Sequence, residues 1–152
     1  MSRVPLIALS VLLFIGCNDS ASTELPDPRA VAVGESLTAF HAMNSRIRDE
    51  VIYVRPGEFV DAVPQTLGGK PVEIIESEEL LQRIGSRKTA PRYTTYSIGN
   101  NLREFDFYVA VSVTGIGNFS QFETIPLGGG RIYCYTIENG VPKVQDVIIE
   151  EH

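Results

Sequence analysis

The chain is 152 residues long, 43% hydrophobic and 21% charged, which is enough apolar material for the core of one domain. Its formal net charge of -6 excludes a sequence-independent grip on nucleic acid, which needs a basic face, and retention on anionic lipid by charge alone. Two histidines and two cysteines, far apart in the chain, make no tetrahedral zinc set, so no metal or other cofactor is expected.

Residues 1–16 read as a secretory signal peptide: Arg3 near the start, an apolar run from Val4 to Ile15, and the small residue Gly16 at the cleavage point. That run is about a dozen residues, and a membrane-spanning helix needs about 20. Phe14-Ile15-Gly16-Cys17 resembles the lipobox of bacterial lipoproteins, with Phe14 standing where leucine is usual. The resemblance implies that Cys17 is acylated and begins the mature chain. It also implies export to the cell envelope and a membrane reached through a lipid anchor. Asn18, where an aspartate would favour inner-membrane retention, points to the outer membrane in a Gram-negative cell. One acyl chain holds only marginally, at about 0.8 kcal/mol per buried methylene, and lipoproteins of this type carry more than one. Residues 17–26 then form the lipidated cysteine and a polar, proline-marked tether. Cys134 is left without a partner and reads as a small core group.

Residues 27–152 read as a single α+β domain. Asp27-Pro28 is a helix start, a capping acid followed by proline at the first helical position. Val33, Leu37, Phe40, Met43 or Asn44, and Ile47 follow at helical spacing, with His41, Ser45 and Asp49 on a polar side. Val51 to Val54 suits a short strand. Arg55 to Lys70 suits a long loop with one helical turn around Glu58 to Ala62, and Pro71 to Glu76 an edge strand. Ser77 caps a short helix that ends before Gly85. Arg92 to Ile98, Arg103 to Thr114, Arg131 to Glu138 and Val141 to Ile149 read as four strands. In the second, Phe105, Phe107, Val109, Val111 and Val113 alternate with wetter residues, the period of a strand with one buried face. Gly99-Asn100-Asn101 and Asn139-Gly140 are turns, the latter the strongest hairpin signal in the chain. Gly115 to Gly130 reads as a glycine-rich loop. The expected architecture is an N-terminal helix packed on an antiparallel sheet, with a C-terminal meander of four strands. Its element order is weakly similar to cystatin-like and NTF2-like cone folds.

The residues specify no reaction. His41, Ser45 and Asp49 lie at four-residue spacing, but serine sits between histidine and acid, the wrong order for a relay, so a solvent-facing stripe is expected. Gly128-Gly129-Gly130 lacks the Gly-Lys-Ser/Thr and the helix of a phosphate loop. Arg83, Arg87, Lys88, Arg92 and Arg103 are expected as exposed charges that could gather near one hairpin end. Tyr93, Tyr96, Tyr108, Tyr133 and Tyr135 are the candidate binding set: several could lie opposite the phenylalanine-valine face, open for recognition, or be core where the long helix covers that face. Three functions follow as expectations: a non-catalytic envelope protein binding another macromolecule, a small-ligand or enzymatic cone fold with a cavity, and an inhibitor or immunity-type lipoprotein.

Overall fold

The computed structural model describes residues 25–43, 49–84, 91–119, 122–126 and 129–150, with the side chains of residues 116–126 left aside. The leader, Cys17, Ser45, Arg87, Lys88 and His152 lie outside the described residues.

Helix α1 spans Pro28–Met43. Asp27 caps it, its Oδ1 accepting from the Arg29 backbone N–H at 2.9 Å. Its inward face carries Ala32, Val33, Ser36, Leu37, Phe40 and His41, while Met43 is exposed. The inward spacing is helical, but two of its members are polar, so hydrophobicity alone understates how much of the helix is buried. Gly34 tolerates the helix interior for a packing reason. A Cβ there would sit 3.1 Å from the Ala62 carbonyl of a 3-10 turn, Val60–Ala62, that crosses the helix.

Among the described residues eight strands form one mixed sheet. They are β1 (Ile52–Val54), β2 (Thr66–Leu67), β3 (Lys70–Ile74), β4 (Arg92–Gly99), β5 (Phe107–Phe119), β6 (Phe122–Pro126), β7 (Arg131–Glu138) and β8 (Val141–Ile149). Their order is β2-β3-β1-β4-β5-β7-β8, with β6 pairing the far half of β5. The C-terminal meander is antiparallel. β1 enters parallel to both β3 and β4, placing Tyr53 beside Glu73 and Tyr93. The segment expected as an edge strand, β3, is therefore interior, and the two-residue β2 takes the edge. The expected glycine-rich loop contains the end of β5 and all of β6. At the other end, β5 starts at Phe107, because Asn101 and Arg103 hold left-handed backbone and Asp106 closes the turn with a backbone bond to Tyr135. Asn139 and Gly140 both have positive φ, 53° and 76°, as a two-residue hairpin turn requires.

Residues opposite one another in a ladder share a face. Val109 faces Tyr133, Phe107 faces Tyr135, and Val111 faces Tyr96. These side chains meet Val33, Leu37 and Phe40 of α1 to form the main core. On the opposite face a second helix, α2 (Ser77–Ile84), sets Leu80 and Ile84 over Tyr93 and Ile75. Each helix thus covers a different side of the sheet, and α2 covers only one end of its side. Among the described residues no helix is long and apolar enough to cross a bilayer.

Candidate functional site

The five tyrosines divide between the two faces. Tyr96, Tyr133 and Tyr135 are core beneath α1, the alternative to a binding face, but they lie on the same face as Phe107 and Val109 and not opposite it. The physical reason is register: Tyr133 and Tyr135 sit directly across from apolar β5 residues, so burying one set buries the other. Tyr135 is wholly buried, its hydroxyl 2.7 Å from Ser36 Oγ and 3.3 Å from the Ala32 carbonyl it donates to. Burial pushes it up to about 12, with the Ser36 bond pulling the other way. Burial also raises Tyr133, offset by the Arg131 guanidinium. Tyr96 donates to the Glu58 carbonyl at 2.9 Å. Tyr93 is buried on the other face beneath α2, donates to the Ile75 carbonyl, and is pushed up to about 12, chiefly by burial.

Tyr108 is the half-buried member of the set. Its ring lies across Gly99, where an added Cβ would come within 2.2 Å of the ring. An aromatic covering a cross-strand glycine in this way shields exposed backbone. Gly99→Ala is expected to swing the Tyr108 ring aside, while stability changes by less than about 1 kcal/mol because the ring has solvent to move into. Tyrosine ring-proton shifts in a nuclear magnetic resonance spectrum, with a denaturation midpoint alongside, check both parts.

The other candidates resolve as follows. His41 is not on a solvent-facing stripe. It is 5% exposed, with Nε2 3.1 Å from Thr94 Oγ1 and its ring edge-on to Phe40. Burial, aided by Lys70, lowers it to about 4, so it stands neutral in the core. Asp49 accepts from the Arg92 backbone N–H at 3.3 Å and takes no part in a relay. Arg83 pairs with Glu73 and Glu79 across α2 and β3. Arg103 lies in the turn at the opposite end of the β4–β5 hairpin from Arg92, so those two cations do not gather. Cys134 is buried, and burial raises its thiol. Among the described residues no three His, Cys, Asp or Glu side chains come together to hold a metal ion.

What sequence reasoning missed is a groove of about 440 Å³ on the face away from α1. Thr95 and Ser97 of β4 and Ala110 and Ser112 of β5 make its floor, and Arg55, Pro56 and Glu150 bound it. Small side chains alternate with large core residues along both strands, so the floor is shallow where the opposite face is packed. Thr95 Oγ1 and Ser112 Oγ are 2.8 Å apart. Glu150 Oε2 folds towards Gly130, 3.2 Å from where a Cβ would stand, with Ser112 Cβ at 3.4 Å from the same point. The Arg55 backbone N–H donates to the Thr94 carbonyl at 2.9 Å, which fixes where that residue leaves the sheet. The legible signal was the polar half of the β5 alternation, Ala110 and Ser112, with Thr95 and Ser97 across the hairpin. Compared with protein-family models, with curated proteins and with solved structures, the chain matches none.

Proposed function

We propose that this is an exported envelope protein, held to a membrane by a lipid on Cys17, whose folded domain works by binding and not by catalysis. The Phe14 to Cys17 lipobox-type sequence carries the reading, supported by the polar stretch that follows it. The described domain supports the binding half. Its histidine is buried neutral, its cysteine is buried with a raised pKa, and neither has the exposed, activated setting of a nucleophile or base. The open groove offers hydroxyls and two exposed charges of opposite sign, which suit recognition.

Labelled palmitate should enter the wild-type chain in its bacterial host and be lost completely from Cys17→Ala. Equal labelling of the two would remove the anchor from the proposal. A deep pocket inside a curved sheet, lined by Tyr108, Tyr133 and polar groups, would favour the cone-fold reading. Tyr133 instead packs in the core and Tyr108 covers Gly99 on the other side, so a small ligand would have to use the outer groove.

A further inference from the structure

We propose that the groove binds a short zwitterionic peptide in extended form, its carboxylate towards Arg55 and its ammonium towards Glu150. This rests on the binding reading above and gives it a ligand class. Four observations point the same way. The groove is lined by one cation and one anion, Arg55 and Glu150. The Glu150 carboxylate folds back over Gly130, the residue before β7, so it lies over the β7 column of the sheet. Arg55 extends β1, three columns away in the order β1-β4-β5-β7. At about 4.8 Å per strand the span is roughly 14 Å, and an extended tripeptide of about 10 Å fits once the arginine side chain reaches in.

The floor between those two residues is hydroxylic. Thr95 and Ser112 satisfy one bond between themselves, and two hydroxyls so joined still have one proton and free lone pairs to offer. Ser97 adds a third hydroxyl. A peptide's main-chain N–H and C=O groups supply donors and acceptors that match these hydroxyls. Other ligand classes fit less well. None of the lining residues presents a stacking platform of the kind that sugars and nucleobases use, since Tyr96 is turned into the core. An apolar ligand would leave the hydroxyls unpaired.

Calorimetric titration of the full chain with Ala-Ala-Ala, its N-acetyl form and its C-terminal amide tests this. Saturable binding of Ala-Ala-Ala is expected, with each blocked form about tenfold weaker for the loss of one charge-assisted contact. Arg55→Gln should bind Ala-Ala-Ala and its amide alike, and Glu150→Gln should bind Ala-Ala-Ala and its acetyl form alike. Both side chains are exposed, so circular dichroism should show both variants folded. Absence of saturable binding overturns the inference, as does equal binding of free and blocked peptides by wild type, or wild-type discrimination in both variants. The palmitate result does not involve the groove, so failure of the anchor and failure of the ligand are read separately.

Discussion

Phe107→Ala is expected to lower folding stability by about 3–5 kcal/mol, as ring deletions in a close-packed core do. Phe107 opens β5, is 1% exposed, and lies on the face that α1 covers. Its ring stacks on Tyr135 with centroids 5.2 Å apart and planes 7° apart. The two residues are also ladder partners, so neither can shift without moving a strand. A stacked pair adds roughly 0.5–1.5 kcal/mol beyond the area it buries. The loss is a large share of the about 5–15 kcal/mol that holds a typical domain together. Phe107→Leu should recover most of it by refilling the volume. Urea denaturation of the three proteins checks the order. A cost below about 1 kcal/mol for the alanine variant would mean that the ring is not packed as described.

Acid is expected to destabilise the fold through His41, well above the range in which most carboxylates titrate. The folded-state value, about 4, lies below the ordinary 6.5. Protons therefore bind the unfolded chain first, and stability falls as pH drops from 6.5 towards 4. Above 6.5 the ring is neutral in both states and costs nothing. Through the window each pH unit removes about 1.4 kcal/mol, for a total near 3 kcal/mol. The cause is burial first, then the positive charge of Lys70. His41→Gln keeps a polar partner for Thr94 but carries no titrating ring. It should be somewhat less stable at neutral pH and show a flatter slope between 6.5 and 4. Denaturation midpoints across that window compare the two curves. Parallel curves would show that His41 is not the group being protonated.

Both predictions depend on residues whose burial was unequally visible in the sequence. The face of Phe107, Val109 and Val111 was legible, because alternation over a long strand is a repeated signal. The Asp27-Pro28 helix start and the Asn139-Gly140 hairpin were legible because each is dictated by local backbone chemistry. His41 was not, since a polar residue on a helix reads as solvent-facing until its partner on a distant strand is known. The parallel entry of β1 was not legible either. Three residues carry no periodicity, and their partners in β3 and β4 lie 20 and 40 residues further along the chain (Ile52 to Val72, Tyr53 to Tyr93). The tyrosines illustrate the same limit. Their alternation put Tyr133 and Tyr135 on one side of β7, but only the register with β5 says which side is covered. The groove was hidden for a related reason, because Arg55 and Glu150 come from segments 95 residues apart.

The bulge that separates the Cys134 and Tyr135 pairings bears on what the last strand can do. β8 ends the sheet and carries exposed Val144, Val147 and Ile149, the combination that would otherwise recruit a neighbouring molecule's strand and start a fibril. The break in register divides Val144 from Val147, and the Asp146 carboxylate accepts the Val147 N–H at 2.9 Å. With only two residues in β2 at the far end, the sheet is poorly suited to growth in either direction, which would keep neighbouring copies from templating one another even at high concentration.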